Sequence, residues 1–170
     1  MDTLKTIRER RSIRKYRSDA VDDESLNTIL EAGRWAPSAS NKQPWHFIVI
    51  KDTNMREKLA GIHDYGRFMR ESPIVIVVLG DPKKHHRYYL ADPHQAVQNM
   101  LLAARSLGLA TCWMGVRDTG YEPKFREALD IPEDLRVVCS ISLGHGDQER
   151  TSTRFPLEDL VSWEKYGSKK

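Results

Sequence analysis

Six consecutive apolar residues, Ile74 to Leu79, constrain the fold of this chain more than any other feature. Five of the six are β-branched, and a continuous run of this kind is typical of a strand that is buried on both faces. Such a strand needs layers packed on both sides, which requires a sizeable core. The chain has 170 residues, enough for one such core, and it shows no internal repeat or linker. We therefore expect a single domain over residues 1–170, with residues 167–170 forming a frayed tail.

Helical periodicity and capping signals surround this strand. The longest predicted helix begins at Asp92 as its N-cap, has Pro93 in its first turn and ends before Gly108. Further helices are predicted over about 2–10, 22–36, 53–62, 123–129 and 156–163, with caps at Asp22 or Asp23 and at Thr53. Further strands are predicted over about 45–50 and 136–143, and residues 110–116 are predicted to form a short strand or a loop. Because helices and strands do not alternate strictly, the pattern predicts an α+β fold with helices on a mixed, mainly antiparallel sheet.

Composition and charge exclude several classes of function. Hydrophobic residues make up 39% of the chain, and no apolar run approaches the roughly 20 residues that a membrane span needs. No signal-peptide pattern is present, and Cys112 and Cys139 match no metal-binding or CxxC spacing, so we expect a cytoplasmic protein. The net charge of +3 favours anionic ligands but is too small to indicate nucleic acid.

A short basic segment, Arg10-Arg11-Ser12-Ile13-Arg14, follows the first predicted helix. Three guanidinium groups and a hydroxyl within one or two turns of backbone suit a phosphate, since guanidinium forks match phosphate oxygens and form strong charge-assisted hydrogen bonds. A solvated basic face at a helix C-terminus explains the same residues about equally well, because the helix dipole favours cations there. The segment alone therefore leaves both interpretations open.

A loop of small residues and amides, Pro37 to Trp45, is the more specific signal. Its prolines restrain the backbone, while its hydroxyls and amides present hydrogen-bonding groups that suit the polar edge of a planar ring. A simple polar turn between a helix and a strand is the alternative. The loop is long for such a turn, is rich in amides and leads directly into Trp45-His46-Phe47. Together with the basic segment, it predicts a site for a phosphorylated cofactor that carries a ring.

Motifs for other common chemistries are absent from the sequence. It contains no GxGxxG opening a helix, no P-loop, no HExxH and no GxSxG. His85, His86 and His94 have no common metal-binding spacing, and a solvated surface position is the better interpretation. Cys112 is interpreted as a small core residue rather than a redox thiol. We therefore expect a bound organic cofactor, and not a protein nucleophile, to carry the chemistry.

The two segments resemble motifs of the nitroreductase family of FMN-dependent oxidoreductases. The family's phosphate motif, Arg-Arg-Ser-x-Arg followed by an aromatic residue, matches residues 10–16, and its Pro-Ser-small-x-Asn-x-Gln-Pro-Trp motif matches residues 37–45. Two further matches cover residues 99–115 and the Gly144-His145-Gly146 and Arg154–Leu157 segments. The four matches follow the family order along nearly the whole chain. The resemblance implies a nitroreductase-like fold and an intertwined homodimer with flavin sites at the subunit interface.

The same resemblance implies roles for individual residues. Arg10, Ser12 and Arg154 would hold the FMN phosphate together with the motif residue Arg11, and Arg14 would reach the ribityl chain or the pyrimidine edge of the ring. Met114 and Gly115 would approach flavin N5 and O4. The remaining flavin contacts, expected to come from the other subunit, are those of Pro37, Ser38, Ala39, Asn41 and Gln43. Asp64 or Tyr65 is a weaker candidate on the pyrimidine side.

The function that follows is electron transfer through FMN. NADH or NADPH would pass hydride to flavin N5, and a flat acceptor such as a nitroaromatic or quinone would then take its place, which implies ping-pong kinetics. A flavin reductase or a reductive dehalogenase of the same fold is an alternative, and so is a flavin-binding protein without turnover. A nucleic-acid binder that uses the basic patch of residues 10–17 is the weakest alternative, so neither nucleic acid nor a membrane is an expected partner.

Overall fold

A four-stranded antiparallel sheet forms the centre of the computed structural model, which describes residues 2–170; Met1, the first residue of the predicted domain, lies outside the described residues. Its strands are β1 (Trp45–Ile50), β2 (Ile74–Gly80), β3 (Ala110–Gly115) and β4 (Arg136–Gly144). They lie in the order β1-β2-β4-β3, and each neighbouring pair is antiparallel. The predicted α+β fold with a mainly antiparallel sheet is therefore confirmed.

The described part of the chain contains six α-helices: α1 (Thr3–Glu9), α2 (Asp23–Arg34), α3 (Thr53–Ile62), α4 (Ala91–Ser106), α5 (Glu122–Ala128) and α6 (Leu157–Leu160). Gly108 has the positive φ of 77° that a residue just beyond a helix C-terminus often adopts, as its position predicted. Each helix of residues 2–170 is either too short or too polar to cross a membrane.

The predicted double burial of β2 is confirmed, because all seven of its residues are buried. Its side chains alternate between the two faces of the sheet. Ile74, Ile76 and Val78 join a core cluster with residues of α2 and α4, whereas Val75, Val77 and Leu79 join a second cluster with residues of α3 and α5. Helices therefore cover the sheet on both sides, and β3 is left as an edge strand.

The structure corrects several predicted helix ends. Asp92 is not the N-cap of α4: it lies inside the first turn, and its carboxylate instead accepts a hydrogen bond from the Ala39 amide. Asp52, rather than Thr53, caps α3 by accepting the Met55 amide. The last helix is a single turn over Leu157–Leu160, shorter than the predicted range of 156–163, because no residue of that turn is buried against the body of the protein.

Candidate functional site

The basic segment of residues 10–16 runs along the outer edge of β3. Ser12 forms an isolated parallel bridge with Thr111, and the Ile13 amide donates to the Thr111 carbonyl over 3.0 Å. Tyr16 fixes the far end of the segment, because its buried hydroxyl lies 2.6 Å from Ser142 Oγ and donates to the Ile13 carbonyl. The segment that sequence analysis assigned to phosphate binding is therefore extended and held against the sheet.

Two of the predicted phosphate-site residues, Arg10 and Ser12, lie near Cys112 on β3 together with Arg14, which was predicted to reach the ribityl chain or the ring. Burial raises the pKa of the Cys112 thiol, and the neighbouring Arg14, Ser12 and Arg10 oppose that shift. Alternate residues of an extended segment share one side, which is why positions 10, 12 and 14 converge. Arg11 lies at the intervening position, and its guanidinium donates instead to the Arg8 and Arg10 carbonyls at the end of α1.

Arg10 carries a positive charge that the described residues leave uncompensated. Burial lowers the pKa of its guanidinium, and the nearby cations Arg154 and Arg11 lower it further. No carboxylate of residues 2–170 forms an ion pair with Arg10 among the salt bridges of the protein. Arg154 lies on an exposed C-terminal stretch, where it donates to Ser152 Oγ and the Thr153 carbonyl. A partly buried guanidinium that lies near two other cations fits an anionic ligand, and a phosphate has the required charge.

A cleft of about 540 Å³ opens beside the basic segment at the other end of β3. We call it the β3 cleft; it is lined by Arg14, His63, Tyr65, Phe68, Cys112, Trp113, Met114, Gly115, Thr119, Gly120 and Tyr121. Its size lies within the range of small-molecule sites. Arg14 joins the two regions, since its guanidinium lies 5.9 Å from the centre of the Phe68 ring. A ligand with a phosphate beside Arg10 and a ring in the β3 cleft would therefore pass Arg14.

The edge strand presents backbone groups to the β3 cleft. The Thr111 carbonyl accepts from Ile13, and the Gly115 carbonyl lies 3.0 Å from His63 Nε2, so both point away from β4. Backbone groups of alternate residues in a strand face the same edge, and the amides of Trp113 and Gly115 therefore face outward as well. The Met114 side chain is buried in the core, and its backbone faces β4. Of the predicted pair, Gly115 is the residue whose backbone groups face this edge.

The loop of residues 37–44 lies at the opposite edge of the sheet, immediately before β1. Three strand spacings of about 4.8 Å separate β1 from β3, so about 14 Å lies between the two edges. The loop is well fixed: Ser38 Oγ accepts the Gln43 amide, and the Gln43 side chain donates to Asn41 Oδ1. Within one chain, the structure thus brings Arg10, Ser12 and Arg14 together with Gly115 but leaves Pro37, Ser38, Ala39, Asn41 and Gln43 apart from them.

Several residues of the β3 cleft carry no recognisable signal in the sequence. His63, Phe68 and Tyr121 come from three separate segments and carry no shared motif. Of the weaker candidates, Tyr65 lines the cleft, and Asp64 accepts a hydrogen bond from Tyr121 Oη over 2.9 Å. No cluster of His, Cys, Asp or Glu within residues 2–170 could hold a metal ion.

Known proteins are similar to this chain along most of its length. The model of the nitroreductase family matches residues 7–63 and 64–145. A protein of Archaeoglobus fulgidus, provisionally named NADH dehydrogenase/NAD(P)H nitroreductase, is 40% identical over 153 residues, which is 88% of each chain. An FMN-dependent nitroreductase of Clostridium difficile superimposes with a TM-score of 0.90 at 31% identity, covering 96% of this chain and 99% of that one. A provisionally assigned nitroreductase of Desulfovibrio desulfuricans, solved in complex with FMN, has a TM-score of 0.85 at 36% identity, with 98% of each chain covered.

Proposed function

The chain belongs to the nitroreductase family, and from that premise we propose that it is an FMN-dependent oxidoreductase that transfers electrons from NAD(P)H to a flat acceptor such as a nitroaromatic or a quinone. The observation that carries the proposal is the uncompensated cationic cluster around Arg10, placed next to a cleft whose wall is the edge of β3. FMN has both parts that this arrangement suits: a phosphate and a planar ring with polar edges.

Each part of the site has a task toward the cofactor. Arg10 and Ser12, with Arg154 once its exposed stretch is in place, hold the phosphate by charge-assisted hydrogen bonds. Arg14 places a cation between the phosphate and the ring. The outward amides of Trp113 and Gly115 supply fixed donors to the polar edge of the ring, whose carbonyl oxygens gain negative charge on reduction. FMN held by Arg10, Ser12, Arg14 and Arg154 would supply the redox chemistry, which is hydride transfer from NAD(P)H and electron transfer to the acceptor.

We propose that the functional unit is a homodimer, because one chain leaves the site incomplete. The loop of residues 37–44 carries the polar groups that suit a flavin but lies at the far edge of its own sheet. A second copy can bring its loop to the β3 cleft of the first. Exposed apolar side chains support the same conclusion: Phe155, Leu157, Leu160, Trp163 and Tyr166 lie in one C-terminal stretch and are each at least 46% exposed. Such a set marks an interaction surface, and a second copy is the partner that also completes the site.

Donor and acceptor share one cleft in this proposal. The β3 cleft borders the strand edge where the ring is proposed to lie, so a nicotinamide and an acceptor would reach the ring through the same cleft. The donor therefore leaves before the acceptor enters, which is a ping-pong scheme. The protein aligns each planar partner against the cofactor and needs no protein nucleophile.

Steady-state kinetics with both substrates varied test this proposal. The protein is loaded with FMN, and initial rates are measured while two concentrations are varied independently. One is the concentration of the donor, NADPH or NADH, and the other is that of the acceptor, a nitroaromatic or a quinone. Parallel double-reciprocal lines are expected, with one FMN bound per chain. Intersecting lines would show that donor and acceptor bind together and would remove the shared-cleft mechanism.

A further inference from the structure

His63 contacts the edge strand at the point where it borders the β3 cleft. The residue follows the last turn of α3 and is 5% exposed, and its Nε2 lies 3.0 Å from the Gly115 carbonyl. A carbonyl oxygen can only accept, so Nε2 must carry the proton in this contact. The imidazole is therefore a donor to the backbone of β3.

Gly115 needs an external contact of this kind. It is the last residue of β3, and a glycine restricts its backbone less than any other residue. A side chain cannot replace that restraint easily, because an added Cβ would lie 3.3 Å from the Trp113 ring. The hydrogen bond from His63 thus holds the residue whose amide faces the cleft.

The His63 ring is itself held in place. It stacks on the Tyr121 ring with 4.3 Å between centroids and 26° between planes, and Tyr121 Oη donates to Asp64. The other ring nitrogen, Nδ1, is buried without a hydrogen-bond partner among the described residues. A buried polar atom without a hydrogen bond destabilises the fold, and an apolar ring at this position would avoid that destabilisation. The property that distinguishes histidine here is the bond from Nε2 to Gly115.

We propose that His63 is a positioning residue of the flavin site: its Nε2–H fixes the Gly115 backbone, and the preorganised Gly115 amide, as a donor to the O4 carbonyl of the ring, then favours the reduced over the oxidised state of bound FMN. This inference rests on the proposed function, since it takes FMN as the occupant of the β3 cleft. A donor held in place before charge develops stabilises that charge without reorganisation. Removing the hydrogen bond from His63 to Gly115 should therefore lower the midpoint potential of the bound flavin.

The test measures the midpoint potential of the FMN-loaded protein in three variants. His63→Leu removes the donor and keeps a buried apolar side chain, whereas His63→Gln returns an amide donor near the position of Nε2. His145→Leu is the matched control, because His145 Nε2 also lies near a backbone carbonyl, that of Ala20 at 3.3 Å, outside the β3 cleft. In His63→Leu we expect the ratio of reduced-FMN to oxidised-FMN affinity to fall about five-fold, the effect of one hydrogen bond.

Restoration of the potential in His63→Gln, with no change in His145→Leu, would support the proposal. A folded His63→Leu protein with FMN bound and the wild-type potential would overturn it. Failure of the wild-type protein to bind FMN would instead refute the proposed function. A second measurement needs no variant: ¹⁵N NMR of the wild-type histidines should show His63 protonated at Nε2, and an unprotonated Nε2 would also overturn the proposal.

Discussion

The amide of Ala39 donates a hydrogen bond to the buried carboxylate of Asp92, 3.0 Å away and 53 residues later in the chain. This contact ties the loop of residues 37–44 to the first turn of α4. Ser40, Asn41 and Gln43 in the same loop all have positive φ, a conformation that side chains rarely adopt without support. Asp92 therefore shapes a loop that the dimer proposal places against the flavin of the other subunit.

Replacing Asp92 should weaken flavin binding from a distance. In Asp92→Ala the Ala39 amide loses a charged acceptor, a loss of about 1.5–3 kcal/mol, and the loop loses its shape. We expect FMN affinity, measured by fluorescence quenching, to fall at least ten-fold, with a smaller loss in Asp92→Asn. Asp22→Ala is the control, since it removes the N-cap of α2 without touching the loop. Equal losses of affinity in both variants would show a general effect of instability.

Replacing Arg10 should separate cofactor binding from folding. Arg10→Gln removes a cation that burial and the nearby Arg154 and Arg11 disfavour, so the flavin-free protein should unfold at the same or a higher denaturant concentration. FMN affinity should fall by about 1.5–3 kcal/mol, because a charge-assisted bond to phosphate is lost. Arg17→Gln, which breaks only the exposed pair with Asp19, should leave affinity unchanged. Wild-type affinity in Arg10→Gln would mean that the phosphate binds elsewhere.

Mixed dimers test whether two subunits share each site. Two variant chains are made: one carries Arg10→Gln, and the other carries Asn41→Ala with Gln43→Ala. The homodimer of either variant should bind FMN poorly. In a mixed dimer, one site would combine the intact Arg10 of one subunit with the intact loop of the other. We expect co-expression to restore tight FMN binding to about half of the sites in mixed dimers. If each chain supplied its whole site, mixing would restore none.

Glu122 should make the stability of the fold depend on pH in acid. Burial alone would raise the pKa of its carboxyl, but hydrogen bonds from Arg136 and from the Asp118 and Val137 amides lower it overall. The stabilisation is therefore present above the unfolded value of about 4.3 and is lost as the pH falls through the lower folded value. Urea unfolding should show Glu122→Gln to be about 2 kcal/mol less stable at pH 7. The difference from wild type should shrink below about pH 4, and a constant difference would contradict this account.

Local sequence signals were sufficient for most of the fold. The apolar run of β2, the amphipathic pattern of α2 and the glycine after α4 are each decided by residues close together in the chain. The exceptions are long-range. Asp92 has a side chain and a position in the sequence that suit an N-cap, but its carboxylate accepts the Ala39 amide instead. Hydrophobic periodicity cannot reveal this long-range hydrogen bond.

The grouping of candidate site residues was predictable only where they form a contiguous motif. The residues at positions 10, 12 and 14 could be recognised because a short run of arginines and a hydroxyl suits phosphate. The Arg11 side chain lies apart from those of Arg10 and Arg14 because the backbone beside β3 is extended. A helical interpretation of residues 10–14 would miss this difference. His63 and Tyr121 are 58 residues apart and meet only through tertiary packing. No pattern in the sequence marks them as neighbours.

The visible absorption spectrum of the purified protein, recorded without oxygen before and after addition of NADPH or NADH, tests the central claim most directly. The account predicts a flavin spectrum that bleaches on addition of the nucleotide and returns when a nitroaromatic or quinone is added. A flavin spectrum that does not bleach would contradict the oxidoreductase function and leave a flavin-binding protein. A protein that stays colourless after incubation with FMN would contradict the assignment of the cationic cluster and the β3 cleft to the cofactor.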